Sequence, residues 1–194
     1  MKILLYKKIF FPLAFIGIIS CKAQQNPLPL NTWMENIPQG AYVKDLNNEL
    51  SPYVGTYKAT YQGNEITLFI TKEENRVTKR AGKQFYRDAL VIKYNVKNSS
   101  GQTLQETQNI NNPDIYIYSY KTRVVSQQST IIFIYSGTNC GVGWGDIYLK
   151  KINNTQISWT YNAESTLITE QNCPGNPDKT VYLPQTKDLI FTKQ

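Results

Sequence analysis

The chain contains no histidine in its 194 residues. Histidine-ligated zinc hydrolase sites, Ser–His–Asp triads and Cys–His nucleophile pairs are therefore excluded, because each needs an imidazole as ligand or base. Long basic runs are also missing. Outside the first twenty residues the longest is a pair, as at Lys150-Lys151. Three of the 21 basic residues (Lys2, Lys7, Lys8) lie in those first twenty, which leaves 18 against 14 acidic residues, a formal +4 rather than +7. Scattered charge of that size supports only a weak field, so nucleic acid is not an expected partner. Gly141, Gly143 and Gly145 sit in a phosphate-loop-like spacing, but no Lys-Ser/Thr pair follows and the next segment reads as strand, so that motif fails its context. No metal or cofactor signature is present, and neither is expected. No stretch reads as an amphipathic helix longer than three turns.

The apolar run Ile9–Ile19 has eleven residues, too short for a spanning helix, which needs about 20. Preceded by Lys2, Lys7 and Lys8, it has the polarity of a secretory signal. It closes on Ile18-Ile19-Ser20-Cys21, which resembles the bacterial lipobox. The resemblance implies that residues 1–20 are removed and that Cys21 carries a diacylglyceryl group, a lipid anchor in a membrane. An ordinary signal with an incidental cysteine is the alternative. Two or more acyl chains anchor stably where one attaches only reversibly. Lys22 follows the cysteine and no acidic cluster comes after it. By resemblance to bacterial sorting patterns, this implies the outer membrane, facing the periplasm.

Removing 20 residues from 194 leaves 174, enough for one domain with a substantial core. Residues 21–50 read as a lipidated N-terminus and tether, with Pro27, Pro29 and Pro38, no steady period, and one short helical turn at Trp33 to Ile37. From 51 to 194 the chain reads as a single β domain. Tyr53, Gly55, Tyr57, Ala59 and Tyr61 share one parity. Gly63-Asn64 supplies a turn, and Ile66, Leu68 and Ile70 resume the alternation, the pattern of a β-hairpin. Further strands are expected near Phe85–Val96, Gln102–Gln108, Ile115–Thr122 (after an Asn112-Pro113 turn), Thr130–Tyr135, Trp144–Lys151, Gln156–Ala163 and Leu189–Thr192. The fold class is all-β: an antiparallel barrel, lipocalin-like, or a sandwich of about 8–10 strands. Cys140 and Cys173, 33 residues apart, form an even pair that reads as a disulfide in an exported domain. Two free thiols are the alternative.

Candidate binding residues follow from strand parity. Asp88 lies on one parity with Tyr86, Leu90, Ile92 and Tyr94, and Asp146 on one with Trp144 and Tyr148. A carboxylate facing an aromatic interior has its pKa raised unless it is paired, and two such acids serve glycoside hydrolysis when they converge. The plainer expectation is that Asp88 pairs with Arg87 or Arg123, or that a bulge returns it to solvent. Tyr116, Tyr118 and Tyr120 form a one-sided row, a stacking surface for sugars or apolar ligands, although tyrosine is also an ordinary strand former. A barrel lined by such residues, with Tyr57 at its base, would make a small-molecule site.

Ser20-Cys21-Lys22-Ala23-Gln24, Gly55-Thr56-Tyr57 and Leu183-Pro184 with Leu189-Ile190-Phe191 together resemble a group of uncharacterised lipoproteins of the Bacteroidetes. That resemblance covers most of the chain and implies a lipoprotein with one domain, but no activity. Gly55-Thr56-Tyr57 is also similar to the Gly-x-Trp opening of lipocalin-like barrels, with tyrosine replacing tryptophan. The expected function is a non-enzymatic binding domain for a small apolar or glycan-like ligand or an envelope protein. The alternatives are an envelope glycan or lipid hydrolase using Asp88 and Asp146, and an inhibitor or immunity-like protein plugging a partner with Gly137–Gly143.

Overall fold

A computed structural model describes residues 26–109, 114–125, 128–175 and 177–194. Residues 1–20, Cys21 and the Asn112-Pro113 turn lie outside them. Eleven strands form: β1 Leu28–Pro29, β2 Tyr42–Lys44, β3 Gly55–Tyr61, β4 Asn64–Arg80, β5 Lys83–Lys97, β6 Thr103–Glu106, β7 Ile117–Val125, β8 Gln128–Tyr135, β9 Gly145–Lys151, β10 Gln156–Tyr161 and β11 Thr186–Lys193. Among the described residues there is no α-helix, only short 3-10 turns such as Met34–Asn36, and no helix long and apolar enough to cross a membrane.

Eight strands close on themselves in the order β5-β4-β3-β11-β10-β9-β8-β7 and back to β5, each neighbour antiparallel. This is an up-and-down barrel, and it resolves the expected choice between barrel and sandwich. The first hairpin follows from the sequence alternation. Gln62 and Gly63 both take positive φ (49° and 80°), the geometry of a two-residue turn whose twist matches the strands. β1 and β2 add to the outer edge of β5 in parallel, and β6 pairs further along that edge.

The alternating residues fill the barrel. Ile66, Leu68 and Ile70 of β4, Leu90, Ile92 and Tyr94 of β5, and Ile131, Phe133 and Tyr135 of β8 are buried. Ile147, Leu149, Trp159, Tyr161, Phe191 and Tyr57 complete the cluster. Each large side chain removed from water contributes about 1.5–3 kcal/mol. Both ends are closed. At one, Leu50 and Tyr53 plug the opening, with the Tyr53 hydroxyl donating to the Ser129 carbonyl at 3.0 Å and Lys151 to that of Pro52 at 2.7 Å. At the other, the Cys140–Cys173 disulfide joins the β8–β9 loop to the long β10–β11 loop (Cα–Cα 5.4 Å). Trp159 Nε1 donates to the Pro184 carbonyl at 2.9 Å, and the Tyr161 hydroxyl to that of Gly143.

The stretch expected to be a tether instead belongs to the domain from residue 28 onward. Leu30, Ile37, Ala41, Val43 and Leu50 are all at most 1% exposed. Single apolar residues inserted between prolines carry no period, so the pattern concealed a wrapping segment. β4 and β5 also run past the barrel. A register shift interrupts the pairing between Glu73 and Arg76, and beyond it residues 76–87 form an arm that the N-terminal segment packs against.

Candidate functional site

Among the described residues, those expected to line a lumen site are either packed into the barrel core or turned to its outer wall. Tyr57 is fully buried in packed side chains, and burial raises its pKa. Asp88, 1% exposed, is saturated: it accepts the Tyr42 hydroxyl at 2.5 Å and the backbone N–H groups of Asp45 and Asn75 at 3.0 Å each. Lys72, ion-paired to Asp45 at 2.9 Å, stands beside it. Burial pushes its carboxyl pKa up, but the Tyr42 hydrogen bond, the two backbone donors and Lys72 outweigh this and hold it below the usual range. The expected pairing with Arg87 or Arg123, or return to solvent, is thus replaced by donors from Tyr42 and Asp45 in the N-terminal segment and from Asn75 in the adjacent β4. Asp146 lies on the outer wall, accepting the Tyr120 hydroxyl at 2.9 Å. The two carboxylates do not converge, and the acid–base pair of the hydrolase reading is lost.

The other candidates scatter. Tyr86 lies half-buried on the arm, paired across to Val77 and Tyr42. Trp144 is 45% exposed and donates to the Ser165 carbonyl. The Gly137–Gly143 loop does not project. Thr138 is buried and its N–H bonds the Val142 carbonyl at 2.8 Å. A side chain at Gly137, φ +91°, would run into the Gly141 backbone at 2.5 Å.

The tyrosine row does form, on the outside of β7. Tyr116 stacks on Tyr118 with centroids 5.4 Å apart, and the arm leans along it. Arg76 lies over Tyr118 at 4.7 Å and Arg80 over Tyr120 at 4.1 Å. Burial raises the Tyr118 pKa, and burial with the Asp146 hydrogen bond pushes that of Tyr120 up to about 12, so both rings remain neutral donors.

Beyond the Val91–Tyr118 pair, the one described between them, β5 and β7 diverge. The fork between arm and β7, roofed by residues 32–37, is a cleft of about 240 Å³. The arm contributes Thr78, Arg80, Phe85 and Arg87, β7 contributes Tyr118, Tyr120 and Lys121, and the roof brings Trp33, Met34 and Ile37 with Glu35. Lys121 sits over the Trp33 ring at 4.5 Å. Apolar walls with a few convergent polar groups are what small-ligand sites are made of, although this one is smaller than the usual ~300–1,000 Å³.

Arg87 is the unusual member. It is 5% exposed and its one described hydrogen bond is Nη2 to the Leu30 carbonyl. Burial, together with the nearby charge of Arg80, lowers its pKa to about 10, with Asp88 opposing, so it stays charged at neutral pH. The pattern expectations missed Arg80, Arg87, Lys121, Trp33, Met34 and Phe85. One local signal existed: Arg76 to Arg87 holds five cations and no carboxylate.

Together these features define a closed eight-stranded up-and-down β-barrel protein with an aromatic, cation-lined cleft on its outer wall. The chain belongs to the family of unknown function DUF6705, which matches residues 1–194. No curated protein and no solved structure matches it.

Proposed function

We propose that this protein is a non-enzymatic binding domain, and that its site is the outer cleft between the arm and β7 rather than the barrel lumen. The observation that carries this is the contrast between a barrel interior occupied by a buried apolar cluster and a concave wall where Trp33, Phe85, Tyr118 and Tyr120 meet Arg80, Arg87 and Lys121. We further propose that Cys21 is the lipidated residue of an outer-membrane, periplasm-facing lipoprotein like those of the Bacteroidetes that its N-terminus resembles. Fatty-acid labelling of the chain that disappears in Cys21→Ser is the expected result for the anchor.

Thermal-shift screening of the purified protein against small apolar, aromatic and sugar compounds tests the cleft. Trp33 is 62% exposed, so Trp33→Ala is expected to fold normally and to weaken any hit about tenfold, roughly 1.4 kcal/mol. A hit that Trp33→Ala and Phe85→Leu both leave untouched would move the site elsewhere and end this reading. An envelope-protein partner is the second reading, favoured by the exposed outer-wall residues Tyr116 and Tyr148. It predicts a stable complex that is disrupted by substitutions at those two residues and indifferent to Trp33.

A further inference from the structure

We propose that the cleft is an anion site, in which Arg87, flanked by Arg80 and Lys121, takes the phosphate or carboxylate of a small organic ligand whose flat or apolar body lies against Trp33 and Phe85. This deepens the proposed function and rests on it.

The cleft holds charge that no ion pair neutralises, Asp88 offsetting that of Arg87 only through space. Arg87 is nine-tenths and more buried, and among the described residues no carboxylate comes within ion-pair distance of its guanidinium. A buried cation without a counter-ion is strongly unfavourable, and proteins retain one only when something offsets it. The Leu30 carbonyl takes one donor of the five that a guanidinium carries. Asp88, its neighbour in sequence, is already occupied by Tyr42, Asp45 and Asn75.

The flanking cations point the same way. Arg80 is held by the face of Tyr120 and Lys121 by the face of Trp33. A ring fixes a cation in place through its quadrupole without removing the net charge, so both reach the cleft still carrying theirs. The roof supplies one acid, Glu35, which forms no ion pair among the described residues. Three cations against one acid leave the wall at +2. An oxyanion against Arg87 would accept parallel donors from its planar fork. The apolar remainder of such a ligand has Met34, Ile37 and Phe85 beside it.

A free organic anion and a lipid headgroup share this chemistry. Calorimetric titration of the full chain in detergent with phenyl phosphate, and separately with benzyl alcohol as its neutral counterpart, reads the charge. Phenyl phosphate is expected to bind at least tenfold more tightly, and the preference is expected to vanish in Arg87→Met. The double variant Arg80→Gln with Lys121→Gln, both nearer the surface, is expected to lose most of the preference, and it keeps the test valid if Arg87→Met fails to fold. Equal binding of the two compounds overturns the anion site while leaving the cleft as a binding site. Binding of neither overturns both. Flotation of Cys21→Ser on phosphatidylglycerol vesicles but not phosphatidylcholine vesicles, abolished by the double variant, would identify a headgroup as the source. Selectivity for phenyl phosphate without such flotation would identify a free ligand.

Discussion

Arg87 and Asp88 are neighbours in β5 and both are nearly out of water, at 5% and 1% exposure, yet their two surroundings differ in kind. On the barrel-end side, Asp88 has a phenol, two backbone N–H groups and a nearby lysine directed at it. On the cleft side, Arg87 has a single carbonyl. Burial is common to both, so burial by itself says little about purpose. Completeness of partners separates them. The closed set around Asp88 ties residues 42–45 and the bulge at Asn75 to β5 and is an element of the fold, whereas the open set around Arg87 leaves room for a further group.

The comparison is testable through stability. Asp88→Ala strands three donors and unbalances Lys72, and breaking a buried charged network in this way costs about 3–5 kcal/mol. Denaturant melts at neutral pH should read a loss of that size. The carboxyl's folded-state pKa lies below its unfolded value, so its contribution is complete above the unfolded value of about 3.9. It is lost as pH falls through the folded value. The gap between parent and Asp88→Ala should therefore narrow in acid, and a gap that widened would contradict the assignment. Replacing Cys140 and Cys173 with serine gives an intermediate loss, about 2–4 kcal/mol, from the opposite end of the barrel. Arg87→Met should have the smallest effect, within about 1 kcal/mol, since the lost hydrogen bond is offset by removing an unpaired buried charge. If Arg87→Met instead costs as much as Asp88→Ala, both residues are structural and the contrast fails.

Much of the barrel could be read from the chain because its hairpins satisfy local rules: strict alternation in β3 and the start of β4, although the turn expected at Gly63-Asn64 forms one residue earlier, at Gln62–Gly63, because Asn64 already pairs with Tyr61. The continuation of β4 from Thr71 to Arg80 could not be read so. Its residues are mostly charged, and it is a strand because β5 lies along it. The partners of Asp88 were illegible for the same reason, since Tyr42 and Asp45 reach it only after the N-terminal segment wraps the arm. Tyr118 and Tyr120 were recognised as a row, but the side of the wall they occupy depends on closure, which no local pattern encodes. Arg87 was weighed only as a counter-ion for Asp88, because parity says nothing about what stands opposite.

Barrel and sandwich were hard to tell apart for a reason visible in the closure itself. Between β5 and β7 the described register is one residue pair, Val91 with Tyr118, and between β3 and β11 it is two, Lys58 with Thr192 and Tyr57 with Lys193. The wall is two curved sheets buttoned along two short seams, and the cleft straddles the first, with Phe85 and Arg87 on one side and Tyr118, Tyr120 and Lys121 on the other. Anything lodged there acts as a clasp across the seam. By linkage, an occupant at a hundred times its Kd adds about 2.7 kcal/mol to the closed form, and hydrogen exchange at the Leu90 N–H, which donates to Ser119 Oγ across that seam at 2.8 Å, becomes a gauge of whether the cleft is filled.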